Sequence, residues 1–204
     1  MIAIVDYGLG NVQAIANVYK KLGLPTSIVT QAVDLKRADK VILPGVGAFD
    51  QAIMRLEKAG MRQMLDEVVL QHHVPVLGIC VGMQMLARSS EEGKLAGLGW
   101  IDAEVKRFDL SAFNIPACVP HMGWNDVKSV RESGLFREMD HCVCFYFLHS
   151  YYMCCKKDED VIAVAEYGGE FACAVNSGNV YGVQFHPEKS HHNGVQLLKN
   201  FANL

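Results

Sequence analysis

The stretch Val74-Pro-Val-Leu-Gly-Ile-Cys-Val-Gly-Met-Gln-Met-Leu86 constrains this chain more than any other. Val74, Val76, Leu77 and Ile79 run without the polar alternation of a half-solvated strand, which predicts a strand buried on both faces, as in a parallel sheet covered by helices. Met83, Leu86 and Ala87 then recur at helical spacing, so a helix starts directly afterwards. Between the two periods lies Gly78-Ile-Cys80-Val-Gly82, the thiol version of the Gly-x-nucleophile-x-Gly strand-to-helix turn. A Cβ at either glycine would crowd the turn or the neighbouring strand. The turn lifts Cys80 toward the unpaired N–H groups of the helix start, whose partial positive charge favours a thiolate and which can also hold an oxyanion. Most unpaired cysteines are small buried hydrophobes, so this turn alone leaves packing and catalysis both open.

The rest of the chain supplies the sheet that such a strand needs. Ile2 to Tyr7 reads as a first strand, and Gly8-Leu-Gly-Asn11 as a turn whose Asn11 caps the helix beginning at Val12. Val12, Ile15, Ala16, Tyr19 and Leu22 repeat at helical spacing until Gly23. Strands over Thr26–Val29 and Lys40–Leu43 follow, then helical spacing from Ala52 to Leu56 and from Met61 to Val69. Strand, helix and strand at this pace imply a parallel sheet with helices on both faces. From residue 101 to 185 the pattern changes to strands: Ala103–Phe108, Asn125–Lys128, Cys142–His149, Val161–Glu166, Phe171–Val175 and Val180–Gln184, with hairpin turns at Gly168-Gly169 and Asn176-Ser-Gly-Asn179. The expected fold is therefore α/β: a mixed, largely parallel central sheet with an antiparallel extension and a terminal helix from about Asn193. The 204 residues suffice for one domain over 1–204.

Two further stretches carry chemistry. Pro44-Gly-Val-Gly47 sits at the carboxyl end of a strand, where open α/β sheets bind ligands. It lacks the Gly-x-Gly-x-x-Gly and Gly-Lys-Ser/Thr patterns of nucleotide loops, but it can present a backbone N–H toward Cys80. His186-Pro-Glu188 ends the last strand, and a histidine with a carboxylate two residues on is the base and orienter of a triad. Pro120-His-Met-Gly-Trp-Asn125 and Phe145-Tyr-Phe-Leu-His-Ser-Tyr-Tyr152 concentrate aromatics with polar handles, which suit a substrate pocket, a partner surface or a core.

A net charge of −3 and a 20% charged fraction give no basic stripe, so nucleic acid is not an expected partner. Met1 leads straight into a short apolar run, too short for a signal segment or a membrane span, which places the protein in the cytoplasm. Seven cysteines show no disulfide-scaffold spacing. Cys142, Cys144, Cys154 and Cys155 lack zinc-knuckle spacing, and neither metal nor cofactor is expected. The adjacent pairs His72-His73 and His191-His192 read as solvated helix ends.

Taken together, Pro44-Gly-Val-Gly47, Gly78-Ile-Cys-Val-Gly-Met-Gln84 and His186-Pro-Glu188 resemble the class I glutamine amidotransferase family, with its flavodoxin-like fold and a Cys, His, Glu triad in that chain order. Pro120-His-Met-Gly-Trp-Asn125, Tyr146-Phe-Leu-His-Ser-Tyr151 and Val183-Gln-Phe-His-Pro-Glu-Lys-Ser190 narrow the likeness to the glutaminase subunits of imidazole glycerol phosphate synthase, the HisH family. The resemblance implies Cys80 as nucleophile, His186 as base and Glu188 as its orienter. It also implies oxyanion donors at Val81 and within Gly45, Val46 and Gly47, and a glutamine site at Gln84, Tyr146, His149, Ser150 and Tyr151. Asn11, Met122, Trp124 and Lys189 would face a (β/α)₈ cyclase subunit that takes the ammonia. Val81 and Met85 stand where leucines are usual, a volume-tolerant change. The short connection from Arg88 to Gly99 resembles a paralogous branch that feeds ammonia to a sugar amidotransferase in surface-polysaccharide synthesis. A γ-glutamyl hydrolase would use the same Cys80 and His186 without a partner.

Overall fold

The computed structural model describes residues 1–109, 111 and 118–204. Strands and helices alternate at first: β1 (Ile2–Val5), α1 (Val12–Lys21), β2 (Thr26–Val29), β3 (Lys40–Gly45), α2 (Phe49–Lys58), α3 (Arg62–Asp66), β4 (Val76–Cys80) and α4 (Val81–Met85). Strands then dominate: β5 (Ser89–Ser90), β6 (Ala103–Arg107), β7 (His121–Ser129), β8 (Cys142–His149), β9 (Tyr151–Cys155), β10 (Val161–Glu166), β11 (Glu170–Ser177) and β12 (Val180–Val183). Helix α5 (His191–Ala202) follows. Among the described residues no helix is long and apolar enough to cross a membrane.

The sheet runs β2-β1-β3-β4-β12-β11-β10-β7-β8, with β9 on β11 and β6, and β5 on β6. Its first five strands are all parallel, an order of the flavodoxin-like kind. From β12 to β8 every neighbour along that path is antiparallel, so the mixed sheet with an antiparallel extension is as expected. β1 and β4 are buried along their whole length, which is why their sequences show no alternation. Ile15 and Tyr19 anchor α1, and the Tyr19 hydroxyl donates to the Leu198 carbonyl of α5 at 3.0 Å. Phe49, Ala52, Ile53 and Leu56 form the buried face of α2.

Register decides where the chemistry can be. Gly45 lies opposite Cys80 across β3 and β4, and Val183 lies opposite Ile79 across β12 and β4. The carboxyl ends of three parallel strands thus bring Gly45, Cys80 and the segment after Val183 side by side, although roughly a hundred residues separate the last two.

Some local expectations need correction. Asn11 occupies the N-cap position of α1, but its side chain makes no capping bond. The helix expected through Val69 ends in a wider turn over Glu67–Gln71, closed by the His72 N–H on the Glu67 carbonyl at 3.2 Å. The strand expected from Asn125 begins at His121. Its alternation is inverted: His121 is 4% exposed and Met122 66%, so a search for buried apolar positions misses its first half.

Candidate active site

At the end of β4 the backbone turns sharply. Cys80 has φ +56° and ψ −114°, a conformation that a residue with a side chain adopts only under constraint. The constraint is packing around glycines. A Cβ on Gly82 would meet the Leu43 carbonyl oxygen at 1.9 Å, and one on Gly78 would meet the Gly82 oxygen at 2.7 Å. Gly45 is as tight, since its Cβ would lie 2.5 Å from the Gly82 nitrogen. These glycines let β3, β4 and α4 approach closely enough to hold Cys80 at the sheet edge. All five residues of α4 are buried. A helix this short has a small macrodipole, so any help to a negative sulfur comes from the local N–H groups.

Past β12, Phe185 stacks on Phe145 with centroids 3.9 Å apart, fixing the chain just before the base. The His186 N–H donates to the Tyr146 carbonyl at 2.8 Å. Ser190 adds a second tie, its hydroxyl donating to the His186 carbonyl at 2.6 Å and accepting from the Tyr146 N–H at 3.0 Å. His186 Nδ1 is 3.0 Å from Glu188 Oε1, and the two side chains are only 5% and 2% exposed. A carboxylate at Nδ1 fixes the proton there and leaves Nε2 as the nitrogen available to the Cys80 sulfur. Burial alone would push the His186 pKa down. The hydrogen bonds and charges of Cys80 and Glu188 override it and raise the value to about 10. Among the described residues, Glu188 Oε2 is buried without a hydrogen-bond partner.

A cleft of about 240 Å³ opens over the sulfur, lined among others by Val46, Gly47, Cys80, Val81, Gln84 and Glu92. That is below the roughly 300–1,000 Å³ of drug-sized ligand sites and suits a smaller molecule. A larger open hollow of about 710 Å³, formed by residues 129–141, holds none of the triad.

Four of the five residues assigned to the glutamine site, Gln84, His149, Ser150 and Tyr151, line this cleft. Gln84 has both amide protons committed, to the Tyr151 carbonyl and to Gln184 Oε1, each at 3.0 Å. Its carbonyl oxygen is the end left for a ligand. His149 has both ring nitrogens engaged, with His121 at 2.9 Å and the Tyr151 carbonyl at 2.8 Å. Tyr146 lies apart from the cleft lining and packs edge-on against Trp124, with Lys189 Nζ 5.5 Å from its ring centroid.

Of the residues assigned to a partner, Lys189 lines the cleft itself. Met122 and Trp124 are 66% and 49% exposed. His191, expected to be simply solvated, lies flat on Trp124 with centroids 5.1 Å apart and planes within 7°. Asn11 is exposed and follows Gly10, whose Cβ would meet Pro44 at 2.7 Å. It therefore adjoins the start of the Pro44–Gly47 loop, which the Tyr7 hydroxyl holds through the Pro44 carbonyl at 2.7 Å.

Sequence reasoning missed two residues. Glu92 is the acidic side chain of the cleft lining, and its Oε2 accepts the first N–H of α2, from Phe49, at 2.8 Å. Gln184 is fully buried and points Nε2 at the Cys80 sulfur, 3.8 Å away. A polar residue between Val183 and Phe185, at the end of the strand expected over Val180–Gln184, was the available signal.

Comparison with known proteins agrees with this geometry. Residues 3–204 match the model of the family described as glutamine amidotransferase class-I. The chain is 53% identical over 204 residues to imidazole glycerol phosphate synthase subunit HisH of Leptospira interrogans, covering all of both chains. It is 56% identical over 208 residues to the subunit HisH of Bdellovibrio bacteriovorus, again covering both completely. Its fold resembles that of a solved glutamine amidotransferase with a TM-score of 0.76 at 19% identity, over 100% of this chain and 98% of the other. A catalytic-type turn at Cys80, a family match along nearly the whole chain and full-length relatives above 50% identity lead to one conclusion: the chain belongs to the class I glutamine amidotransferases and, within them, to the HisH family.

Proposed function

We propose that the chain is the glutaminase subunit of an imidazole glycerol phosphate synthase, hydrolysing glutamine to glutamate and passing ammonia to a (β/α)₈ cyclase in histidine biosynthesis. The observation that carries this reading is the Cys80–His186–Glu188 array, with its strained nucleophile and a buried imidazole whose charged form is favoured. The whole chain acts as one domain, in the cytoplasm, without metal, cofactor or nucleic acid.

In this scheme the thiol proton already rests on His186 Nε2, whose charged form is favoured, and the Cys80 thiolate attacks the side-chain amide carbon of glutamine. The tetrahedral oxyanion is held by the Val81 N–H and by an N–H from Gly45, Val46 or Gly47. His186 then gives its proton to the departing nitrogen, the C–N bond breaks, and a glutamyl thioester and ammonia result. Water, deprotonated by the same imidazole, releases glutamate and restores the thiol. Glu92 faces the α-ammonium of the substrate, while Gln84, Ser150 and Tyr151 hold its polar groups. His149 contributes through its backbone, since its ring is occupied. Tyr146 belongs with Asn11, Met122, Trp124 and Lys189 on the docking face.

Ammonia released into water becomes ammonium and loses its nucleophilicity, so a docked acceptor is the economical arrangement. The test is glutamate release from glutamine by the purified chain, alone and with the cyclase and its ribonucleotide ligand. Strong stimulation supports the proposal, and Cys80→Ala should abolish glutamine-fed but not ammonium-fed synthase turnover. Weak binding to the cyclase with no stimulation would point to a sugar-amidotransferase acceptor, and vigorous partner-free cleavage of γ-glutamyl compounds to a hydrolase.

A further inference from the structure

A continuous hydrogen-bonded chain runs from β7 to the catalytic sulfur, and the scheme above leaves most of it unused. Asn125 Nδ2 donates to the Glu166 carbonyl at 2.9 Å and lies 3.2 Å from His121 Nε2. His121 Nδ1 is 2.9 Å from His149 Nε2, and His149 Nδ1 is 2.8 Å from the Tyr151 carbonyl. A carbonyl can only accept, so His149 carries its proton on Nδ1 and accepts at Nε2. His121 must then donate from Nδ1 and accept the Asn125 N–H at Nε2. Every bond is satisfied with both rings neutral and with a single direction of donation.

Beyond Tyr151 the chain continues inward. The same carbonyl accepts from Gln84, Gln84 donates onward to Gln184 Oε1, and Gln184 Nε2 donates to Cys80 Sγ at 3.8 Å. The two imidazoles are 4% and 6% exposed. His121 is clamped between Tyr167 and Phe147, with centroids 4.1 and 4.9 Å away. Burial pushes His121 down to about 4 and His149, which also faces His121 and His186, to about 3, so both rings stay neutral at working pH. At the outer end, His121 and Asn125 alternate along β7 with Met122 and Trp124 of the proposed docking face.

We propose that His121 and His149 are positioning residues: through the Tyr151 carbonyl and Gln84 they aim the Gln184 N–H at the Cys80 sulfur, from the strand that carries the docking face. This rests on the glutaminase reading for its kinetic consequence but not for its effect on the sulfur. Fixed dipoles oriented in advance are what a developing thiolate needs.

The test uses the full chain with three substitutions. His121→Phe keeps a ring between Tyr167 and Phe147 but removes both nitrogens. His121→Asn keeps an N–H near the Nδ1 position. Asn125→Asp, at a partly exposed site, turns the donor at Nε2 into an acceptor and so opposes the direction of donation that runs from Asn125 through both imidazoles to the Tyr151 carbonyl. Carboxamidomethylation of Cys80 by iodoacetamide is followed by peptide mass mapping, with the other six cysteines as internal references. Thermal midpoints, and kcat and KM for glutamine in the complex with the cyclase, are measured alongside. We expect His121→Phe and Asn125→Asp to change the Cys80 alkylation rate several-fold and to lower kcat about tenfold with KM within about twofold, and His121→Asn to stay near wild type. Wild-type alkylation and kcat in His121→Phe and Asn125→Asp would overturn the proposal, as would losses confined to the thermal midpoint. A wild-type complex without glutaminase turnover would sink the functional reading, while the alkylation rates would still decide the relay.

Discussion

The parallel half of the sheet and its antiparallel extension contribute to the site in different currencies. In the parallel half, β3, β4 and α4 place Cys80 through backbone contact, with Gly45, Gly78 and Gly82 admitting no Cβ. In the extension, β7, β8 and β9 contribute side chains and carbonyls: the His121–His149 pair, the Tyr151 carbonyl and the exposed Met122 and Trp124. His186 lies at the seam, just past the last parallel strand yet tied by its own N–H and by Ser190 to Tyr146 of the extension. Reactivity is therefore built by close approach on one side and by hydrogen-bond direction on the other. Substitutions in the first region should act through folding and chemistry, and those in the second through rate and docking.

The most severe break is Cys80→Ala, which should cut glutamine-dependent turnover by about 10⁴-fold or more while ammonium-fed turnover persists. Glutamate release in the assembled complex reads it directly. Glycines separate the two regions most sharply. Gly82→Ala should destabilise by more than about 3 kcal/mol in denaturant unfolding, because backbone rather than a movable side chain stands in the way. Gly169→Ala in the extension meets nothing within 4 Å and should stay within about 0.5 kcal/mol of wild type. Equal effects at the two sites would erase the distinction.

Glu188→Gln probes the seam. It removes a carboxylate that helps to raise the His186 pKa from 6.5 to about 10, so the alkaline limb of kcat/KM should move to lower pH and the rate should fall about 10- to 100-fold. Because the folded value lies above the unfolded one, the imidazolium's contribution to stability is complete below pH 6.5 and fades as pH rises through about 10. An unchanged pH profile would show that Glu188 does not set the charge of His186. The smallest of these effects belongs to the proposed docking face, where Trp124→Ala should weaken cyclase binding about tenfold in calorimetry and leave the unpartnered chain's fold intact.

The same division governs what the sequence could tell. β4 and its turn were legible because burial on both faces suppresses alternation, and because a turn that tolerates only glycine writes itself into Gly78 and Gly82. His186 and Glu188 were legible through their spacing, but their adjacency to Cys80 depends on β12 pairing with β4, a contact between residues far apart that no local period encodes. The extension resisted reading where polarity is inverted. Buried His121 and Gln184 make sense only when their partners are known, and exposed Met122 and Trp124 look like core. Tyr146, assigned to glutamine, packs against Trp124 with Lys189 over its ring, a contact between three distant segments that no local period encodes. Glu92 lies in a polar loop, and only the fold brings its carboxylate to the cleft and to α2.

The positive φ of Cys80 also sets a ceiling on how sturdy a working subunit can be. Glycine accepts that conformation freely, whereas alanine keeps the Cβ that resists it, so Cys80→Gly should unfold at higher denaturant than Cys80→Ala by about 1 kcal/mol. The most robust version of this turn is thus a silent one. Such a chain would keep its docking surface and occupy the acceptor without feeding it, so the tension at one residue is the margin between a subunit that delivers ammonia and a decoy that blocks the position.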